Sequence, residues 1–325
     1  MGQIGIVYEV EAGFPRNKIY REGFVVRVLV CDSVSATALA KMRQAGLDVD
    51  EKTGMSPEEL LAVVGGYDAL VVRSATKVKK EVIQAAKNLK VVVRGGVGID
   101  NIDSEAAKAA GVEVKNTPAA SSASVAELAI GLMFACARQI PQATASMKEH
   151  KWEKKRFEGT ELLGKTLGII GIGRIGREVA KRANALGMTV LAFDAFITKV
   201  DDPSIKMVSL DELVSNSDYI TLHIPASKDG AVLGEKQFAM MKKGVTIINP
   251  ARGGVVCEKS LLAALENGTV KAAALDVYEK EPTENWPLID HPNVILTPHI
   301  GAATKEAQGR IGEEVADILI AWAKK

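Results

Sequence analysis

Leu167-Gly168-Ile169-Ile170-Gly171-Ile172-Gly173-Arg174-Ile175-Gly176 is the stretch that decides the fold. A G-x-G-x-x-G run arises by chance in many chains, and its surroundings give this one meaning. An apolar run precedes it. A helix is predicted after it, because Ile175, Val179, Ala183 and Leu186 recur at helical spacing on one face. A second strand, Thr189-Val190-Leu191-Ala192-Phe193, ends in Asp194, 18 residues beyond Gly176. Strand, glycine turn, helix, strand and acid in this order form a dinucleotide-binding βαβ unit. Gly171 permits the tight turn, Gly173 lets the backbone approach a pyrophosphate, and Gly176 lets helix and strand pack closely. The helix N-terminus offers free N–H groups and positive potential to the diphosphate. Asp194 suits the ribose hydroxyls and would repel a 2′-phosphate, and Ala195 and Phe196 follow it rather than an Arg. The expected cofactor is therefore NAD.

Three segments downstream each end a predicted strand and each carry one reactive side chain. Val245-Thr246-Ile247-Ile248-Asn249 leads into Pro250-Ala251-Arg252-Gly253-Gly254. Ala272-Ala273-Ala274-Leu275-Asp276 leads into Val277-Tyr278-Glu279-Lys280-Glu281-Pro282. Val294-Ile295-Leu296-Thr297 leads into Pro298-His299-Ile300-Gly301. Parallel α/β sheets bind ligands outside the carboxyl ends of their strands, so Arg252, Glu281 and His299 are candidates to converge on the cofactor. Arg252 is a permanent cation whose planar fork suits a carboxylate. His299 can give or take a proton near neutral pH, and a bond to Glu281 would fix its tautomer. Hydride transfer at a carbon between a carboxylate and a hydroxyl uses such a set. Singly, each residue also has an ordinary reading: a structural His, an Arg in a surface turn, a solvated acidic run.

Upstream the same alternation of strand and helix occurs. Strands are expected at Val25–Val30, Asp68–Val72, Lys90–Val93 and Val112–Val114. Helices are expected at Ala36–Ala45, from Ser56 (N-cap, with Pro57 and Glu58-Glu59 behind it), at Lys80–Ala86 and at Ser104–Ala110. The strands are continuous apolar runs, as in a parallel sheet covered on both faces. The fold class is thus α/β, with two Rossmann-like or flavodoxin-like domains. An apolar helix, Ser121–Arg138, connects them, and an amphipathic helix, Lys305–Trp322, closes the chain. Residues 1–24 match no clear period.

Composition sets the outer limits. The 325 residues carry 47% hydrophobic and 25% charged side chains, and the net charge is +1. This is a globular mix without the basic excess of a nucleic-acid binder. Three distant cysteines form neither a metal site nor a disulfide framework, and suggest reduced thiols in a cytoplasmic protein. No signal peptide is read at the N-terminus. Val125–Ala137, the most apolar stretch, contains Glu127 and is too short for a bilayer. No membrane and no metal are expected.

From about residue 26 to residue 322 the chain resembles the D-isomer-specific 2-hydroxyacid dehydrogenases. Asn249–Gly254 and Asp276–Pro282 are similar to specific signatures of that family. The resemblance implies that Arg252 binds the substrate carboxylate and that Glu281 and His299 are the acid/base pair. It implies that Arg174 and Ile175 touch the diphosphate and Asp276 the nicotinamide carboxamide. Pro250, Ala251, Gly301 and Ala302 would line the cofactor. It further implies a discontinuous substrate domain, 1–118 and 300–325, around an inserted NAD domain, 119–299, in a homodimer whose cleft closes by hinge motion. Val71-Val72-Arg73-Ser74-Ala75-Thr76-Lys77-Val78 and Arg94–Asp103 resemble the phosphoglycerate-oxidising branch, which feeds serine biosynthesis. By that likeness Arg73 and Ser74 with Gly96-Val97-Gly98 hold the substrate, and Arg138 reaches its phosphate, within a subunit or across a subunit contact. Gly96 departs mildly from the branch, where Ala is common. Many members of that branch carry a C-terminal regulatory domain for serine, and with the sequence ending at Lys325 no such feedback is expected. Glyoxylate or hydroxypyruvate reductases and D-lactate dehydrogenases share the triad and are the alternatives. An NAD-sensing corepressor on the same fold is the alternative without turnover.

Overall fold

The computed structural model describes residues 24–226 and 230–325, and of the preceding segment only the paired strand residues 8–9, 16–17 and 20–21. Gly13-Phe14-Pro15-Arg16-Asn17 reads in the sequence as a loop; residues 13–15 lie outside the described residues, and Arg16–Asn17 instead pairs antiparallel with Tyr8–Glu9. The chain divides into two compact units, one of residues 1–121 and 303–325, the other of residues 122–302.

The first unit holds a five-stranded sheet: β1 (Arg27–Val30), β2 (Asp48–Glu51), β3 (Ala69–Val72), β4 (Val91–Arg94) and β5 (Glu113–Asn116), all parallel, in the order β2-β1-β3-β4-β5. The predicted strand from Val25 is divided: Phe24–Val25 pairs antiparallel with Tyr20–Arg21, and the parallel strand starts at Arg27. Between the strands run α1 (Ala36–Gln44), α2 (Pro57–Val63), α3 (Lys80–Ala85) and α4 (Ser104–Ala109). Ser56 caps α2 as expected, in a reciprocal capping box with Glu59. One sheet face is covered by α1 and the C-terminal helix Lys305–Ala323, whose Ile311, Val315, Leu319 and Trp322 pack among Ala38, Leu39, Met42, Val28 and Val30. The other face buries Leu60, Val64, Val82, Ile83 and Leu89.

The second unit opens with α5 (Ser122–Arg138) and α6 (Ile140–Lys148). Its seven parallel strands are β6 (Thr166–Ile170), β7 (Thr189–Phe193), β8 (Ile205–Met207), β9 (Tyr219–Leu222), β10 (Val245–Asn249), β11 (Val270–Leu275) and β12 (Val294–Leu296), in the order β8-β7-β6-β9-β10-β11-β12. On one face α5 and α7 (Arg174–Ala185) pack Ala126, Ala129, Met133, Val179 and Ala183 onto Leu167, Ile169 and Ile248. On the other, α8 (Leu210–Asn216), α9 (Glu235–Met240) and α10 (Glu258–Glu266) bring Leu213, Phe238 and Leu261 onto Ile170, Ile220 and Ile247. No single helix among the described residues is long and apolar enough to cross a membrane. The bent pair α5–α6 passes that test only when the two are joined, and α5 spends its apolar side on this core.

Both sheets change winding direction at one point, between β1 and β3 in the first unit and between β6 and β9 in the second. Crevices for ligands form at such points. The chain places Asp32 and Arg73 beyond the first, and the glycine turn and His223 beyond the second.

Candidate active site

Sequence spacing and geometry meet at the glycine turn. Gly171 has φ +96°, and a Cβ there would lie 2.6 Å from the His223 carbonyl oxygen. A Cβ at Gly176 would overlap the Gly171 carbonyl, so α7 runs hard against the turn. At Gly173, by contrast, a Cβ would meet nothing within 4 Å. That is the opening a diphosphate needs, directly before the N-terminus of α7. Asp194 is half-buried at the end of β7. One carboxylate oxygen accepts the Ile172 N–H at 3.0 Å, and the other accepts Phe196 and Ile197 N–H at 2.9 and 3.0 Å. The acid is thus fixed beside the turn, where a dinucleotide's ribose would require it. These residues fit NAD.

His223 is absent from the sequence expectations. It is partly buried behind the turn, its Nε2 is 3.0 Å from Thr221 Oγ1, and its buried Nδ1 has no partner among the described residues. Burial lowers its pKa from 6.5 to about 3. The folded chain therefore refuses a proton that the unfolded chain accepts, and stability is lost as pH falls from 6.5 toward 3. Between pH 7 and pH 4.5 this amounts to about 3 kcal/mol, two pH units at about 1.4 kcal/mol each. Urea denaturation at the two pH values is expected to show this loss in the wild type and to show it reduced by about that amount in His223→Gln. Equal pH dependence in both would refute the assignment.

The Arg252 turn is shaped by Asn249, 2% exposed at the end of β10. Its amide oxygen accepts Ala251 N–H at 3.1 Å and its amide nitrogen donates to the Arg252 carbonyl at 3.0 Å. The guanidinium is half-buried and donates to the Ala251 carbonyl at 2.6 Å. Glu281 and His299 meet: Glu281 Oε2 lies 2.8 Å from His299 Nδ1, with both side chains partly exposed. An ionised carboxylate can only accept, so Nδ1 carries the hydrogen and Nε2 is the nitrogen left to exchange a proton. His299 has φ +54°, a left-handed conformation that costs a non-glycine residue about 1–2 kcal/mol. The conformation is held by Asp276, which is wholly buried. Asp276 Oδ1 accepts the Thr297 hydroxyl at 2.6 Å and Ile300 N–H at 2.8 Å, and Oδ2 accepts Gly301 N–H at 2.8 Å. The expected nicotinamide ligand thus has a visible structural task, anchoring the loop that bears His299. Tyr278 adds a tie, its hydroxyl donating to the Thr297 carbonyl at 2.9 Å. Burial pushes that hydroxyl up to about 12, so it stays a donor at all ordinary pH.

The candidate substrate residues of the first unit form a constellation of their own. Asp32, beyond β1, accepts the backbone N–H of Arg73 at 2.5 Å and of Thr76 at 3.1 Å, and the Thr76 hydroxyl at 2.8 Å. Asn101 donates to the carbonyls of Arg73 and Thr76 at 2.7 and 2.6 Å, joining this loop to the Gly96-Val97-Gly98 turn. Arg73 is half-buried, and its Nε has no partner among the described residues. Burial draws its pKa down, against the pull of Asp32. Ser74 beside it is exposed. Gly96 has φ +143°, and the Arg94 guanidinium lies over it. Arg138 sits apart from the triad in its own unit, in a groove of about 700 Å³ with Phe134, Ile140, Met147 and Lys148.

A glycine turn after β6, Arg252 after β10 and a Glu281–His299 pair after β11 and β12 stand at the carboxyl ends of strands of one parallel sheet. The profile of the D-isomer specific 2-hydroxyacid dehydrogenase NAD binding domain matches residues 130–301, and the chain belongs to this family. A D-3-phosphoglycerate dehydrogenase from Archaeoglobus fulgidus is 52% identical over 303 residues, 92% of this chain and 58% of that protein. The chain thus spans somewhat over half the length of that relative. A hydroxypyruvate reductase from Thermotoga maritima is 50% identical over 267 residues, 81% of this chain and 87% of that one. Among solved structures, a glyoxylate reductase from Paecilomyes thermophila has a TM-score of 0.85 at 35% identity, covering 92% of this chain and 96% of that one.

Proposed function

We propose that this chain catalyses the NAD-dependent oxidation of D-3-phosphoglycerate to 3-phosphohydroxypyruvate, the step that commits carbon to serine synthesis. The observation that carries the reading is the 2.8 Å Glu281–His299 pair on the NAD-binding unit. NAD, when bound, supplies the hydride acceptor. Arg252 holds the substrate carboxylate through its planar fork, His299 Nε2 takes the hydroxyl proton, and Glu281 stabilises the imidazolium that results. Gly171, Gly173, Arg174, Ile175, Gly176 and Asp194, with Pro250, Ala251, Gly301 and Ala302, are the cofactor contacts. The first unit is the substrate unit, in which Arg73 and Ser74 with Gly96-Val97-Gly98 take the phosphate end. The similarity to proteins named for phosphoglycerate supports this choice.

The active form is a homodimer. Phe134, Ile140, Met147 and Trp152 line α5, α6 and the segment after them with exposed apolar surface, Trp152 at 81%. A second copy would cover it and bring Arg138 toward the partner's substrate. Cys31 and Cys136 are buried thiols whose pKa is pushed up to about 12, and Cys257 is also unpaired, in keeping with a cytoplasmic protein.

NADH formation from D-3-phosphoglycerate, D-glycerate and D-lactate at alkaline pH tests the reading. The phosphorylated acid is expected to be preferred. In Arg73→Ala its KM should rise by about 10- to 100-fold, the worth of one or two charge-assisted hydrogen bonds. Preference for D-glycerate, unaffected by that substitution, would favour hydroxypyruvate reduction, the second reading, to which the Thermotoga relative points. Absence of turnover in either direction would favour an NAD-sensing binding protein.

A further inference from the structure

The loop that bears Glu281 is gripped by a residue that the reaction does not use. Glu258 is the first residue of α10, five positions beyond Gly253, and is 8% exposed. Its Oε1 accepts the Glu279 N–H at 2.8 Å and its Oε2 accepts the Asn285 side-chain N–H at 2.8 Å. In return Glu279 Oε1 accepts the Glu258 N–H at 3.0 Å. The carboxylate thus holds the loop two residues before Glu281 and four residues after it. A Cβ on Gly253 would overlap the Tyr278 carbonyl. The Arg252 turn and the Glu281 loop are therefore braced together at two points, by a glycine that permits contact and a glutamate that fastens it.

Burying a carboxylate is unfavourable unless hydrogen bonds replace its water. The apolar packing of α10 is supplied by Leu261, Ala264 and Leu265 and does not need it. What the charge gains is the pair of donors from the Glu281 loop and the favourable potential of a helix N-terminus. We propose that Glu258 is a positioning residue for the acid/base pair, fixing the reach of Glu281 to His299 Nδ1. The inference rests on the dehydrogenase reading. Its effect falls on rate rather than on dinucleotide affinity, because Glu258 touches neither the glycine turn nor Asp194.

The test compares Glu258→Ala with Glu258→Gln in the whole protein. Glutamine keeps an oxygen for Glu279 N–H, and Asn285 can turn its amide to accept from the new N–H. Glu258→Ala is expected to lower kcat by about 30- to 100-fold, the scale of a displacement near 1 Å. NADH affinity, read by fluorescence titration, should change less than about twofold, and Glu258→Gln should recover kcat to within about threefold of wild type. Selective ¹⁵N labelling of the four histidines gives a second readout. Neutral His299 should carry its hydrogen on Nδ1 in the wild type and in Glu258→Gln, and populate both tautomers in Glu258→Ala. A kcat within threefold of wild type for Glu258→Ala, equal loss in both variants, or parallel loss of NADH binding would overturn the proposal. A wild type that turns over no 2-hydroxy acid would overturn the dehydrogenase reading alone. The His299 tautomer would then decide the clamp, and an unchanged ring in Glu258→Ala would refute it.

Discussion

Replacing His299 with Asn is expected to lower kcat by about three orders of magnitude, within the range that general acid–base catalysis supplies, while NADH binds as before. The substitution isolates the chemistry because asparagine tolerates the left-handed backbone that His299 adopts at φ +54°. The Asp276 bonds to Ile300 and Gly301 involve only backbone N–H groups and survive the change. An amide can still donate toward Glu281. It cannot accept a proton from the substrate hydroxyl, so the step loses its base and nothing else. Steady-state turnover beside NADH titration checks this. A kcat within tenfold of wild type would mean that another group takes the proton, and the 2.8 Å pair would be reduced to a surface contact.

Arg252→Ala should lower kcat/KM for the 2-hydroxy acid by about 10²- to 10³-fold, the equivalent of two charge-assisted hydrogen bonds. Asn249 shapes the Pro250-Ala251-Arg252 turn through backbone groups, so the turn persists without the guanidinium. The loss should fall on the carboxylate substrate and spare NAD. Arg252→Lys should recover only a small part, since a single ammonium cannot reproduce the fork that meets both carboxylate oxygens. Full recovery by Lys would reduce Arg252 to a source of field. A rise in the KM for NAD alone would move it from the substrate to the cofactor.

What was legible in the sequence was what local pattern determines. The glycine turn, the apolar strands, the Ser56 cap and the helix after Gly173 are each set by neighbours a few residues away, and each forms. The edge strand Asp48–Glu51 was not legible. Three of its four residues are acidic and only Val49 is buried, so its pairing with β1 leaves no apolar run to read. Helix Ile140–Lys148 begins with a left-handed Gln139 and buries only Ser146, which erases the apolar face that would signal it. The reactive residues were readable because their chemistry is distinctive. The residues that hold them were not. Asp276, Glu258 and Asp32 act through backbone N–H groups 21 to 44 positions away, and no spacing rule connects an acid to a partner at that distance.

The discontinuity of the first unit bears on the order in which the molecule can be built. One face of its sheet is closed by Ile311, Val315, Leu319 and Trp322 of the C-terminal helix. Burying four such side chains is worth about 6 kcal/mol or more, comparable to the whole stability of an ordinary domain. During synthesis from the N-terminus, strands β1 to β5 emerge first and wait with that face covered by α1 alone while the contiguous residues 122–302 emerge and fold. The part of the chain made first is thus finished last, and for the length of the inserted unit its apolar strands depend on a helix that does not yet exist.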